Sequence, residues 1–572
     1  MNSLWIVLIS IVLFALAYKF YGTFIATKIF RSNPDNPVPS EELKDDVDYV
    51  PTSKEVLFGH HFASIAGTGP IVGPAIAIIW GWLPALAWII IGSIFAGAVH
   101  DYAALIISTR KKGVSIGELS KEVINPRVRV LFLFVILFSL WIVVAIFGMV
   151  IAVIFKMYPQ AVFPVWIQIP IAMTVGWLAY KRNFNMTAMS IIAVILMYLA
   201  IYVGVNMPIS MPSMFGLSPM SIWIILLFSY AYIASVLPVW SLLQPRDYIN
   251  SHQLIIGLVL LIFGIIVARP VMVAPMVQLA PKGAPPMVPF LFVTIACGAI
   301  SGFHALVSSG TSSKQLKNER DVKFIGYGGM LTEGILAVLV IVAVGAGIGM
   351  YGGGHGARGI LSGVEAWSEH YSSWTAAQGL TAKVMAFVDG SANMLRSYGI
   401  PIKYGQAIVG VLIASFAGTT LDTATRIQRY FVVELAYSYK IKVLQERYTA
   451  TGVAVVAAAL LAFSQGGGKG ALLLWPLFGT SNQLLAGLVL LVASVYLFKR
   501  NTKIWPTAVP MVFMAATTTW AMCDNLIRFY SEGHFHLVII GMLLLGLGIW
   551  MIFEAFKCVN KEKKKRARSL IG

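Results

Sequence analysis

Apolar runs long enough to cross a bilayer, which takes about 20 residues, recur along the whole chain with short polar loops between them. The pattern predicts spans near 4–29, 54–80, 83–109, 128–156, 163–180, 186–206, 219–236, 253–273, 288–308, 327–351, 402–424, 451–464, 471–497, 505–522 and 536–556. The runs lack the short apolar/polar alternation of a transmembrane barrel, so the expected fold is an all-α polytopic bundle. One run is interrupted in a telling way. Gly67, Gly69, Pro70, Gly73 and Pro74 lie inside the 54–80 run. Gly costs about 1 and Pro about 3 kcal/mol in a helix interior. A broken helix in lipid frees peptide groups, which is tolerated only where they face protein or a watery cavity. Such a break is a candidate binding site.

A second stretch has the same pattern. Gly302 to Thr311 matches Gly59 to Thr68 without a gap at Gly, His, Gly and Thr, pairing His61 with His304 and Gly67 with Gly310. The match gains meaning if the two segments cross the membrane in opposite directions, as inverted repeats do. The loop charges test this. Arg110, Lys111, Lys112, Lys121 and Arg127 fix one loop as cytoplasmic. Alternation then places Lys181, Arg182, Arg246, Lys314, Lys317, Arg320, Lys323, Arg426, Arg429, Lys440, Lys442, Lys499, Arg500, Lys503 and the tail from Lys561 to Arg566 on that same side. This is the positive-inside pattern. It predicts a multi-pass protein of the inner (cytoplasmic) membrane with the N-terminus outside and the C-terminus cytoplasmic. The 54–80 and 288–308 spans then run in opposite directions.

Composition sharpens the class. Of 572 residues 58% are hydrophobic and 12% charged, with mean hydropathy +0.80; a soluble protein has about 25% charged residues. The net charge of +18 sits in loops between spans and does not point to nucleic acid. Cys297, Cys523 and Cys558 are far apart, which supports neither a disulfide framework nor a zinc site. The N-terminal apolar run lacks a basic flank and is too long for a signal peptide, so it reads as a first span. The run Gly466-Gly467-Gly468-Lys469-Gly470 lacks the spacing and the Ser/Thr of a nucleotide-binding loop. The expected organisation is a first span and cytoplasmic loop (1–53), a transporter core (54–497) with inserted spans at about 219–273, and C-terminal spans with a basic tail (498–572).

The order of elements resembles the five-plus-five inverted repeat called the LeuT fold, with broken first and sixth core helices and a long outer loop before the eighth. Here that loop is about 352–400, with an amphipathic piece near 382–396. Longer motifs carry a second resemblance. Gly59 to Gly67, Phe95-Ala96-Gly97-Ala98-Val99-His100-Asp101, Leu243-Gln244-Pro245-Arg246-Asp247-Tyr248, Thr419-Thr420-Leu421-Asp422-Thr423-Ala424-Thr425-Arg426 and Phe478-Gly479-Thr480-Ser481-Asn482-Gln483-Leu484 resemble the carbon starvation protein A family. One departure is His100, where the family pattern has Gln. The resemblance implies uptake of peptides or pyruvate.

The candidate residues follow. Half-helix ends offer N–H groups to a carboxylate and carbonyls to a cation. Gly67, Thr68 and Gly69 in the first break, and Ser308, Ser309, Gly310 and Thr311 in the expected second break, are the substrate-site candidates. The resemblance to the LeuT fold implies that Thr419 and Thr420 match the hydroxyls that hold the ion in its sodium-coupled members, and oxygen ligands suit a hard cation. Carboxylates and histidines inside spans are functional hypotheses by default. Asp422, Asp101, Glu333, His61 and His304 are therefore the ion-coupling candidates, although Asp422 and Arg426 are also spaced i, i+4 for simple pairing. No cofactor is expected; the coupling ion is proton or sodium, the partners are a small-molecule substrate and the lipid bilayer, and no oligomeric state is implied. The expected activity is cation-coupled import of small carboxylate-bearing nutrients by alternating access. The alternatives are a passive channel for small organic anions and an intramembrane metal-dependent enzyme; the latter lacks any His-Glu-x-x-His box.

Overall fold

A computed structural model of the chain describes residues 1–351, 354–356, 359–464 and 474–569. Each expected span coincides with a helix. Eleven helices are long and apolar enough to cross a membrane among the described residues, and Lys54–Ile65 with Gly69–Trp80 forms a further span bent by 46°. The remaining expected spans fall on Met287–Thr294 with Gly302–Gly310, on Arg447–Ala462 and on Trp505–Ser531. The only strands among the described residues are a small hairpin, Gly354–Gly356 with Gly359–Leu361. The Gly466–Gly470 run lies outside the described residues.

Burial sorts the helices. The apolar window of Trp475–Lys499 is 94% buried and that of Phe535–Arg568 only 28%. The first sits at the centre; the second lines the rim. On rim helices the exposed face is itself apolar, as with Ile191, Ile192, Ile195 and Leu199 on Met186–Asn206. Water would penalise such a face, whereas lipid tails match it.

Two broken helices run through the centre. Pro70, at the second position of Gly69–Ala77, lacks an N–H and cannot continue the preceding helix. The glycines there are also dictated by packing. A Cβ on Gly67 would lie 2.5 Å from Thr420 Oγ1, and one on Gly73 2.6 Å from the Thr294 carbonyl. The second helix is interrupted between Thr294 and Gly302. The pair lies side by side and antiparallel: His60 meets Thr311, His61 meets Ser312, Gly69 meets Cys297 and Gly73 meets Thr294. From His60 and His61 to Gly73 the partner falls from 311 and 312 to 294. That is the inversion the LeuT-like arrangement requires, and the bundle is an all-α polytopic fold with two oppositely directed broken helices.

The basic loops gather at one end. Arg110 pairs with Glu319, Lys314 stacks on Tyr49 and Tyr430, and Arg426 lies 3.6 Å from Asp48. The segment 359–400 lies at the opposite end, where Trp374 packs on Trp80.

Candidate functional site

The second break is not where the Gly-x-His match put it. Unwound backbone occupies 295–301, ahead of Gly302, and Ser308, Ser309, Gly310 and Thr311 lie about two turns further on, at the far end of the half-helix. The physical reason is tertiary. The segment Ile295 to Ser301 holds one glycine and no proline, so nothing local breaks it. Its peptide groups are satisfied from neighbouring helices instead. Asn482 accepts the Phe303 N–H at 2.9 Å, and Gln483 donates to the carbonyls of Ile300 at 3.1 Å and Phe292 at 3.3 Å. Ser93 Oγ donates to the Gly298 carbonyl at 3.0 Å and Trp88 Nε1 to that of Ile295 at 3.2 Å. Freed groups at membrane depth need such partners. The first break closes more simply: the Gly67 N–H reaches the Ile65 carbonyl at 2.8 Å, and the Thr420 hydroxyl donates to that of Ser64 at 3.4 Å.

Two cavities approach the broken pair from opposite ends. The larger, about 370 Å³, opens at the end opposite the basic loops and reaches Gly69, Thr294 and Cys297 at the breaks; Trp374, Lys383 and Trp475 line its walls. The smaller, about 300 Å³, lies at the basic end and touches Ser309, Gly310, Lys314 and Tyr430. They share no lining residue. Of the seven substrate-site candidates, Gly69 lines the first cavity and Ser309 and Gly310 the second. Thr68 and Ser308 are buried with hydroxyls that find no partner, and Gly67 packs on Thr420 and Phe147.

The inner half of the first broken helix separates two buried polar networks. On one side Asp101 bridges two histidines, with His100 Nδ1 at 2.7 Å and His304 Nδ1 at 2.8 Å. His304 Nε2 lies 3.2 Å from a Glu333 oxygen but outside hydrogen-bonding alignment, so both Glu333 oxygens lack a donor. His61 binds Ser312 at 2.8 Å and has its other nitrogen free. All five side chains are fully buried. Thus His61, His304, Asp101 and Glu333 come together, Glu333 as a buried residue within Gly328–Gly345.

On the other side Asp422 pairs with Arg246 and accepts the Tyr230 hydroxyl at 2.7 Å. Arg246 also lies 3.5 Å from Asp247, and Asp247 holds His60 Nδ1 at 2.7 Å. His60 continues to Thr311 at 2.9 Å. The i, i+4 pairing of Asp422 with Arg426 does not form. Arg246, in the buried first turn of Leu243–Ala268, takes the carboxylate, while Arg426 turns to the Ala234 and Leu237 carbonyls and to Asp48. The Gln244 to Tyr248 motif is therefore a helix start inside the core. Tyr230 and Asn250 carried no sequence signal of their own; Asp247 stood in a motif but without a role.

Thr419 accepts from Asn250 Nδ2 at 2.8 Å, and Thr420 is engaged with Ser64 as above. Among the described residues no group of three or more His, Cys, Asp or Glu side chains converges to hold a metal ion.

Oppositely directed broken helices, cavities entering from both ends and buried ionisable chains between them are the architecture of a membrane transporter. Comparison with known proteins gives the family: the profile described as "Carbon starvation protein CstA" matches residues 2–521, and the chain belongs to that family of transporters, not to an enzyme class. It is 33% identical to "Pyruvate/proton symporter BtsT" of Escherichia coli (strain K12), across 91% of this chain and 81% of the relative. It is 34% identical to "Peptide transporter CstA" of the same organism, across 91% and 80%, and 33% identical to "Peptide transporter CstA" of Bacillus subtilis (strain 168), across 97% of both. Among solved structures, an Eremococcus coleocola manganese transporter in complex with an aromatic bis-isothiourea compound is similar at TM-score 0.46 and 14% identity, over 90% of this chain and 99% of that one. MhsT in complex with L-phenylalanine is similar at TM-score 0.43 and 11% identity, over 88% and 99%.

Proposed function

We propose that this protein is a secondary active transporter that imports a small carboxylate-bearing nutrient, pyruvate or a short peptide, by proton-coupled alternating access. It sits in the cytoplasmic membrane with the basic end inside. The supporting observation is the pair of cavities that reach the broken helices from opposite ends without sharing a wall residue. A carrier needs a site offered to one side at a time; a channel needs one continuous path. The names of the relatives support the substrate class.

Proton coupling is favoured over sodium by the donor set. The histidine–carboxylate chain from His100 through Asp101 to His304 and Glu333 ends in a carboxylate with room for a proton on either oxygen. Buried ionisable chains of this kind serve as proton relays. The hydroxyls of Thr419 and Thr420, by contrast, are each in a hydrogen bond, Thr419 accepting from Asn250 and Thr420 donating to Ser64, and offer a cation only neutral oxygens.

The test is uptake into proteoliposomes, with labelled pyruvate and a labelled dipeptide side by side, under a proton gradient, a sodium gradient or neither. Accumulation above equilibrium under the proton gradient alone is expected for one substrate. Accumulation under sodium alone would reverse the ion assignment. Equilibration without accumulation under either gradient would favour a channel.

A further inference from the structure

Lys383 is a buried cation without an acid among the described residues. It stands in the first turn of Leu380–Arg396, in the segment between the spans that end near 349 and begin at 402, and it is 5% exposed. Its ammonium lies 4.9 Å from the Trp475 ring centroid, and no carboxylate of the described residues comes within 4.0 Å. A ring face offsets only part of the cost of burying a charge. The exposed remainder of the side chain opens into the 370 Å³ cavity. The other basic groups on that wall have an acid nearby, although Arg528 Nε makes no hydrogen bond. Arg528 Nη2 donates to Asn525 at 3.2 Å, and Glu532 lies 4.0 Å from Arg528 and 3.8 Å from His534. A cavity of this size holds a small ligand, and its floor is the start of the half-helix at Gly69 beside the second break.

We infer that Lys383 is the residue that binds the substrate's carboxylate, so that the cavity selects small organic acids over their neutral amides. The inference rests on the transport reading above and deepens it. Recognition is by a single point charge, which suits one carboxylate on ligands of differing length. The ring of Trp475 holds the ammonium from the side and leaves its remaining N–H bonds for the incoming acid.

The electrostatics of the site agree. Burial pushes the Lys383 ammonium down to about 7. A carboxylate beside it restores the charged form, so binding the acid takes up a proton wherever the free site has lost one. Affinity is then constant well below pH 7 and falls as the pH rises through and above 7. The other titratable groups on the cavity wall are Cys297, Arg528, Glu532 and His534.

The experiment is calorimetric binding to the purified full-length protein with no gradient present. The probes are pyruvate against pyruvamide and a dipeptide against its C-terminal amide, at pH 6 and pH 8.5. In the parent the acid of the transported pair is expected to bind about 10- to 100-fold more tightly than its amide, the worth of one charged hydrogen bond. Lys383→Met is expected to bring that ratio close to one. Lys383→Arg is expected to keep it and to remove most of the pH dependence, since Arg stays charged. Preservation of the acid preference in Lys383→Met overturns the assignment of Lys383 and leaves the transport reading standing. Absence of any acid preference in the parent overturns the carboxylate substrate class itself. If Lys383→Met fails to fold, the parent and Lys383→Arg still decide: equal pH dependence in both overturns the inference.

Discussion

The Arg246–Asp422 pair offers the most direct test of how this core is held. Asp422 is fully buried, Arg246 is 4% exposed, and they belong to helices whose sequence positions are 176 residues apart. Asp422→Asn would remove the charge and keep the shape. Breaking a buried pair from one side costs about 3–5 kcal/mol, because the remaining ion has lost its partner. Two features of the site place the expected value near the lower end. Asp247 stands 3.5 Å from the same guanidinium, and Tyr230 can still donate to the Asn oxygen. About 3 kcal/mol is therefore expected for Asp422→Asn. Arg246→Gln should cost at least as much, since one Asp422 oxygen already lacks a partner. Asp422→Leu combined with Arg246→Met removes both charges and is expected to recover most of the loss, as buried pairs exchanged for apolar residues often do. The assay is reversible unfolding in mixed micelles, read as a double-mutant cycle, with proton-driven uptake measured on each folded variant. The reasoning predicts a double variant that is folded. An Asp422→Asn protein within about 0.5 kcal/mol of the parent, or a double variant less stable than either single one, would refute it.

Three further outcomes are expected. Gly67→Ala places a methyl 2.5 Å from Thr420 Oγ1 and 2.7 Å from the Phe147 ring, an overpacking cost of about 1–3 kcal/mol with loss of uptake; Thr420→Ala in the same chain should restore part of both, and uptake that survives in the single variant would free the first break from its role. Asn482→Ala leaves the Phe303 N–H without its acceptor and should destabilise the protein by about 1–3 kcal/mol in the same unfolding assay, whereas a neutral result would mean the break is held by other contacts. Desolvation would raise the Asp48 carboxyl, but Lys314, the Tyr430 hydroxyl, Arg426 and Arg429 outweigh it and hold the group below its ordinary 3.8. Its stabilisation of the inner loop is thus complete above that value and lost as the pH falls through the lowered one; protection of the 45–49 amides, taken relative to the intrinsic exchange rate at each pH, should fall between pH 5 and pH 3 by more in the parent than in Asp48→Asn, which keeps the Asp45 acceptor of those N–H groups.

Much of the scaffold was legible because lipid imposes a simple rule. A span must be long, apolar and internally hydrogen-bonded, and so every predicted span landed on a helix. The first break was equally open to reading, since Gly67, Gly69 and Pro70 act locally. The second was not. Its unwinding is enforced by Asn482, Gln483, Ser93 and Trp88 from other helices, and a repeat match through Gly310 drew attention to the wrong end of the half-helix. The same distinction runs through the side chains. Asp422 and Asp101 stood out as charges in apolar runs, but their partners could not be read: Arg426 was the sequence neighbour and Arg246 the spatial one. Lys383 passed unnoticed because an amphipathic helix in a loop carries lysines as a matter of course, and only the fold turns this one inward.

The two breaks are tied down in unequal ways, and this bears on how the molecule moves. Asn482 and Gln483 clasp the second break on both flanks from the most deeply buried span, Trp475–Lys499. The first break hangs on its own backbone and two long hydroxyl contacts at Ser64, from Thr420 and from Thr423. In mechanical terms the second is a welded elbow and the first a pin joint. Rocking that trades one cavity for the other would then pivot at Ala66 to Thr68, while Trp475–Lys499 travels as cargo with the helix it clasps. The Phe478 to Leu484 motif would, on this view, link the two: Phe478 and Gly479 line the larger cavity while Asn482 and Gln483 hold the break.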